Sequence, residues 1–312
     1  MLRSFSADEV HAALDYPALV ETLRDAFRQG GEAMPVRQSY EVGFGGAPAH
    51  LLTMPAWQRG KTLGVKLVTV FPQNATRGLG AVSSLYVLFD GETGVPRAMI
   101  DGEALTNRRT AAASALASTY LSRPDSSTLL MVGTGHLAHY LPQAHAAVRP
   151  IDKVLVWGRN GDRAAALTAQ LNDKGLRASV VHDLATALGQ ADIVSCATTS
   201  TVPLVTFSDL RPGTHVDLVG AFTPKMRESD DDTVLRSSVF VDTRAGALAE
   251  AGDILQPMAA GLTTAEAIRA DLHELASGAK PGRRDDGEIT LFKSVGAALE
   301  DLAAASMLVR VS

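Results

Sequence analysis

The chain has 312 residues, 46% of them hydrophobic and 20% charged, with a formal net charge of −5. That length is more than one core usually serves, so two domains are expected. The absence of a long basic run argues against a nucleic-acid partner, and no apolar run reaches the roughly 18–20 residues that cross a bilayer.

Residues 7–30 have helical spacing (Ala7, Val10, Leu14, Leu19, Leu23, Phe27), with a break expected near Pro17. Residues 37–57 predict two strands joined by a Gly45-Gly46-Ala47-Pro48 turn. LGVKLVTVF (63–71), AVSSLYVLFD (81–90) and VPRAMID (95–101) read as further strands of a mainly antiparallel sheet. The alanine-rich stretch from Glu103 to Leu121 is a helix, and Ser122–Ser127 is the best linker. Beyond it the pattern changes. LLMVG (129–133), KVLVWG (153–158), ASVV (178–181), DIVSCAT (192–198), HVDLVG (215–220) and VFVD (239–242) are short apolar runs, with helical segments between most of them. Such alternation predicts a parallel sheet covered on both faces. GAKPGRRDDGE (278–288) is a polar loop, and the chain from about residue 288 reads as one long amphipathic helix.

The sharpest motif is LLMVGTGHLA, residues 129–138. It follows a predicted strand and opens a predicted helix, the setting of a dinucleotide-binding βαβ unit. Gly133 permits the tight turn, Gly135 lets backbone approach a pyrophosphate, and Ala138 is the small residue needed where helix meets strand. Thr134, His136 and Leu137 fill the loop between them. Pro142 should kink the following helix or shorten its first segment. A second strand ends about 20 residues on, where the ribose is read. An acid there would hold the 2′-hydroxyl of NAD. This chain instead has Arg159 and Asn160, and a cation suits a 2′-phosphate. NADPH is therefore the favoured cofactor. Asp162 and Arg163 just beyond leave NADH open, and Arg159 also fits a surface turn. Thr198 and Thr199, at the end of DIVSCAT, together with Val219 in HVDLVG, are expected on the cofactor side, although strand-end hydrogen bonding explains the threonines equally.

Other features point away from chemistry. Asp230, Asp231 and Asp232 form a solvated run, and no His/Asp/Glu cluster has metal-ligand spacing. Ser83 and Ser84 lack a nucleophile elbow. Cys196 is the only cysteine, which fits a reducing cytoplasm, and it reads as buried in its strand. MLRSFSADEVHAAL at the start lacks the apolar core of a secretion signal.

MPAW (54–57), GVKLVTVFPQN (64–74), LFDGETGVPRAMIDGEALTNRRTAAASALA (88–117), GTG (133–135) and ITLFKSVGAALEDL (289–302) together resemble the ornithine cyclodeaminase/mu-crystallin family over nearly the whole chain. The resemblance implies an α/β protein. A Rossmann, doubly wound parallel sheet would span 123–288, and an α+β substrate-binding and dimerisation domain would be built from both chain ends, 1–122 and 289–312. It also implies a homodimer. Members include cyclodeaminases, alanine and opine-type dehydrogenases, ketimine reductases and a binding crystallin, so membership alone does not fix the reaction.

The family holds its substrate carboxylate with two arginines and a lysine, which fall here on Arg37, Lys66 and Arg109. The chemistry agrees, because a guanidinium grips a carboxylate bidentately and Lys66 sits in an otherwise apolar strand, where a buried charge needs a partner. Read as residues alone, Lys66 also fits an edge strand with its amine in water, and Arg109 a salt bridge. The departures from cyclodeaminases are informative. Where those enzymes use an aspartate, this chain has Phe222, and His50 stands at or near their glutamate. Phenylalanine can neither pair with a side-chain ammonium nor take a proton. The segments around 217–234 and 239–254 resemble the Δ1-pyrroline-2-carboxylate reductases of the family. The implied reaction is NADPH-dependent reduction of Δ1-pyrroline-2-carboxylate to L-proline, with the six-membered Δ1-piperideine-2-carboxylate giving L-pipecolate. Arg37, Lys66 and Arg109 would clamp the acid group, Phe222 would wall the ring, and His50 or Lys66 would manage the proton. The competing readings are an alanine- or opine-type dehydrogenase, an ornithine cyclodeaminase and a non-enzymatic binding protein.

Overall fold

The computed structural model describes residues 2–30, 34–45 and 47–311. The chain divides into two compact units, Met1–Thr110 with Ala297–Ser312, and Ala111–Gly296.

The first unit opens with β1 (Arg3–Phe5), α1 (Ala7–Ala13) and α2 (Tyr16–Arg28). Ser6 and Glu9 close a reciprocal cap on α1. The break expected near Pro17 falls just before it. Asp15 caps α2 by accepting from the Ala18 N–H at 3.1 Å, and Pro17 sits in the first turn, where its missing N–H costs nothing. Then come β2 (Gln38–Glu41), β3 (His50–Gln58), β4 (Thr62–Val70), β5 (Val82–Asp90), β6 (Pro96–Asp101) and the helix α3 (Gly102–Leu121). The sheet order is β1-β6-β5-β4-β3-β2, antiparallel except where β1 joins β6. The turn expected at 45–48 includes Gly46, which lies outside the described residues. Strand alternation gives the sheet two characters. Met54, Ala56, Gly64, Lys66, Tyr86 and Leu88 are buried on one face, while their neighbours point the other way and stay partly exposed.

The second unit contains β7 (Thr128–Val132), α4 (Leu141–Ala146), β8 (Lys153–Trp157), α5 (Gly161–Asp173), β9 (Ala178–Val180), α6 (Leu184–Leu188), β10 (Ile193–Cys196), β11 (His215–Leu218), α7 (Asp231–Arg236), β12 (Ser238–Val241), α8 (Arg244–Glu250), α9 (Gly252–Ala259), β13 (Ile268–Asp271), α10 (Leu272–Ala276) and β14 (Thr290–Lys293). All eight strands are parallel, in the order β13-β12-β14-β11-β10-β7-β8-β9. Buried Leu, Val and Ile from the strands and α6–α9 form its core. The order runs outward in both directions from β7 and β10, which makes their carboxyl ends the switch point of a doubly wound Rossmann sheet.

One expectation fails here. Residues from 288 onward do not form a single helix: β14 is a strand wedged between β11 and β12, and α11 (Ala298–Val311) begins only after Gly296, whose φ is +87°. A strand buried on both faces is apolar throughout and shows no period of two, so TLFK blends into the helical pattern that follows. The boundaries shift accordingly. Thr290–Lys293 belong to the second unit, and the first division falls within α3 rather than at Ser122–Ser127, because α3 is continuous and apolar across that point. In the first unit α11 packs on α2 and on β3, β4 and β5. Among the described residues no helix is long and apolar enough to cross a membrane.

Candidate active site

The glycine loop after β7 has the shape a dinucleotide needs. Gly133 has φ +112°, and a Cβ there would lie 2.6 Å from the Ala197 carbonyl oxygen, so only glycine fits between β7 and the end of β10. A Cβ on Gly135 would meet nothing within 4 Å, which leaves that backbone open to a ligand. Ala138 is fully buried, as close packing there requires. Pro142 acts as expected: the segment after the loop is a 3-10 turn, His136–His139, and α4 then starts with Pro142 in its first turn. Thr134 packs against Gly158, where a Cβ would sit 2.6 Å from the threonine methyl. His136 is exposed and Leu137 half-buried.

At the end of β8, Arg159 is exposed beside the loop residues of that strand end. Asn160 serves the fold instead, capping α5 with a side chain that accepts from the Arg163 N–H at 2.9 Å. Thr198 is likewise engaged, since both its N–H and its hydroxyl donate to Glu228 Oε1, at 2.6 and 2.9 Å. Thr199 is exposed. Val219 is buried, its N–H donating to the Cys196 carbonyl at 2.8 Å. Phe222, in the loop after β11, is 44% exposed.

The three predicted cations meet in the first unit. Lys66 and Arg109 are buried and share one carboxylate: Lys66 Nζ lies 2.7 Å from Asp301 Oδ2, and Arg109 Nε lies 3.0 Å from Asp301 Oδ1. Arg109 Nη1 also pairs with Glu300 Oε2 at 2.6 Å. Arg37 lies close enough for its charge to act on Lys66. The ladders explain this: Lys66 pairs with Met54 across β3–β4, and Gln38 pairs with Thr53, so one more step of the β2–β3 register sets Arg37 beside Met54. Burial and the Arg109 guanidinium push the Lys66 ammonium down to about 8, against the pull of Asp301. Burial pushes the Asp301 carboxyl up, but Arg109 and Lys66 outweigh it and hold it below its usual value.

His50 begins β3 on the same sheet face as Met54, but four ladder positions from Lys66's partner, and its Nδ1 lies 3.4 Å from Ser39 Oγ. That separation is on the order of 13 Å along the strand.

Sequence reasoning missed Glu300 and Asp301. The expectation was that Lys66 and Arg109 await a ligand's carboxylate, whereas the chain supplies two of its own from α11. The signal was present as two adjacent acids inside an otherwise apolar helix. Tyr86, the cross-strand neighbour of Lys66, was also missed. Its ring lies over Gly64, where a Cβ would come 2.2 Å from the hydroxyl, and burial with the charge of Asp301 pushes its phenol up.

A model of the ornithine cyclodeaminase/mu-crystallin family matches residues 3–310. The chain belongs to that family. The match takes in the glycine loop, the cation cluster and the α11 acids. Among family relatives, a Delta(1)-pyrroline-2-carboxylate reductase of Paracoccus denitrificans is 41% identical over 288 residues, 92% of this chain and 91% of that protein. The solved structure of the Thermococcus litoralis Delta(1)-pyrroline-2-carboxylate reductase, in complex with NADH and L-proline, superposes with a TM-score of 0.93 at 34% identity, covering 100% of this chain and 97% of that one. An archaeal alanine dehydrogenase dimer with bound NAD gives 0.90 at 29% identity, covering 99% and 95%.

Proposed function

We propose that this protein reduces Δ1-pyrroline-2-carboxylate to L-proline with a nicotinamide cofactor, and accepts the six-membered Δ1-piperideine-2-carboxylate as well. The observation that carries this reading is the pair of buried cations Lys66 and Arg109 meeting at Asp301, with half-buried Arg37 close enough for its charge to act on Lys66. Cations gathered in this way suit a small acid. The likeness to reductases of that substrate supports the choice.

A nicotinamide cofactor supplies the hydride, and Gly133, Thr134 and Gly135 would hold its pyrophosphate, with Thr199 and Val219 near its other end. The clamp fixes the acid group, so the C=N carbon is presented in one orientation. Phe222 offers methylenes a wall and gives an amino side chain nothing to pair with, which disfavours ornithine. The C=N nitrogen is reduced most readily when protonated. Lys66, brought down to about 8, both carries a proton at neutral pH and gives it up readily. His50 is the second candidate for proton transfer. Steady-state oxidation of NADPH and NADH with each cyclic imine, beside pyruvate plus ammonia, tests the assignment. Faster turnover of the open-chain pair would replace it with an alanine-dehydrogenase reading.

NADPH is the preferred form in this reading, because Arg159 is exposed at the strand end where the ribose is read. Arg159→Ala should weaken NADPH about tenfold and NADH less than twofold; equal losses measured by titration would remove the preference. We place the enzyme in the cytoplasm, in keeping with its single, buried cysteine.

The protein is proposed to work as a homodimer through the open face of its first sheet. Leu63, Val65 and Leu67 on β4 pair with Phe89, Val87 and Leu85 on β5, forming a continuous apolar strip, with Leu85 39% exposed. A strip of that kind is a recognition surface in soluble proteins.

A further inference from the structure

The second unit contains a buried charged cluster that the proposed reaction does not use. Glu228 is fully buried and binds backbone from two strands at once. Its Oε1 accepts from Thr198 N and Oγ1, at 2.6 and 2.9 Å, and its Oε2 from Gly220 N and Ala221 N, at 2.8 and 3.1 Å. These groups stand just beyond the carboxyl ends of β10 and β11, where the ladder between the two strands has ended. Neighbouring backbone reinforces the grip: the Glu228 carbonyl accepts from Leu204 and Val205, and Arg227 N–H donates to the Ser200 carbonyl. Glu228 is itself seated. Asp253 Oδ1 accepts from the N–H groups of Glu228 and Ser229, at 2.7 and 2.9 Å, and Lys293 Nζ lies 3.2 Å from Asp253 Oδ2 and 3.8 Å from Glu228 Oε2.

The location of this cluster decides its meaning. Gly133 leaves room only for the Ala197 carbonyl, so the glycine loop leans on the same strand end that Glu228 pins from the far side. Gly220 is equally tight: a Cβ there would meet Thr198 backbone at 2.0 Å and Glu228 at 2.6 Å. In a doubly wound sheet the dinucleotide lies across this crevice, and the half beyond the switch point, on the β10–β11 side, receives the nicotinamide riboside.

We propose that Glu228 is a positioning residue for the cofactor: by tying Thr198 to Gly220 and Ala221 it shapes the floor under the nicotinamide riboside and leaves the adenosine half untouched. The proposal rests on the dinucleotide reading of the glycine loop. Burial pushes the Glu228 carboxyl up, Lys293 opposes that and Asp253 adds to it; Cys196 on β10 also faces it. Acidification therefore protonates Glu228 and loosens the three N–H contacts, so riboside binding weakens as pH falls.

The test is titration of the full-length protein with NADH and with ADP, which lacks the nicotinamide riboside. Glu228→Gln should raise the NADH Kd about tenfold or more and leave that of ADP within about twofold. It should also abolish the decline in NADH affinity at low pH, since glutamine has no proton to take up. Thr198→Val, which removes one donor and keeps the shape, should raise the NADH Kd severalfold with the same selectivity, and serves if the glutamine variant does not fold. Wild-type NADH affinity in both variants, or equal losses for NADH and ADP, would overturn the role of Glu228. Wild-type protein that binds neither ligand would instead overturn the dinucleotide reading.

Discussion

The two units each bury a group of charges, and they treat them in opposite ways. In the first, buried Lys66 and Arg109 share Asp301, Arg109 also pairs with Glu300, and half-buried Arg37 lies close to Lys66. In the second, Glu228 and Asp253 outnumber Lys293, and the surplus negative charge is met by backbone N–H groups. Burying a charge is costly unless something compensates for it. The second group is compensated largely by backbone N–H groups. The first is compensated mainly by side-chain ion pairs, and the proposed reaction gives it the substrate's acid group as well. In that reading burial accompanies a scaffold in one place and a receptor in the other.

The largest effect that could break this contrast is at Arg109. Arg109→Ala should lower kcat/KM about a thousandfold, and because it takes Glu300's ion pair away and leaves Asp301 with Lys66 alone it should also destabilise the fold by about 3–5 kcal/mol. Arg109→Lys should restore much of the stability and little of the rate, since an ammonium cannot reach both acids in the geometry of a guanidinium. Thermal melts beside steady-state kinetics read both, and an alanine variant that turned over normally would remove the receptor half of the comparison.

A smaller effect is expected at Asp253. Asp253→Asn should cost about 3 kcal/mol by leaving Lys293 with a weaker partner. L-proline should raise the Tm of the wild type, and that rise should persist in the variant, because the proposed receptor group is intact. Loss of that rise would mean the two groups are not independent.

The finest test is of charge balance around Lys66. Its ammonium is the form that holds an acid group; it is present below about 8 and lost as pH rises through that value. Asp301→Asn removes the nearest anion, so the alkaline limb of kcat/KM should move down by roughly one pH unit. The substrate's own titration is common to both proteins and cancels in the comparison. Stability runs in the opposite direction to activity. Between about 8 and 10.5 the unfolded chain holds a proton that folded Lys66 has released, so this group's contribution to stability rises with pH across that window. An unmoved limb would mean Lys66 is not the titrating group.

Much of this architecture is legible in the residues. The glycine loop announces itself because a turn against β10 tolerates nothing larger at Gly133, and the Lys66 cation stands out in an apolar strand. What stays hidden depends on long-range contact. Glu300 and Asp301 look like ordinary helix acids until α11 is laid on the sheet that carries Lys66. Glu228 sits in a polar stretch, MRESDDD, that reads as solvated, and only the fold shows that Glu228 and Ser229 are buried while Asp232 is exposed. Asn160 and Thr198, expected toward the cofactor, spend their polar atoms on a helix cap and on Glu228. Local pattern cannot say which of two partners a polar side chain takes.

The ribbon 290–301 contributes Lys293 to one charged group and, after the turn at Gly296, Glu300 and Asp301 to the other. Each group nevertheless lies wholly within its own unit, so exchanging residues 111–296 with a relative's divides neither of them. A chimaera with a single crossover between Lys293 and Glu300 instead takes the first group's cations from one parent and its acids from the other, so it should succeed only where the two parents' charges match.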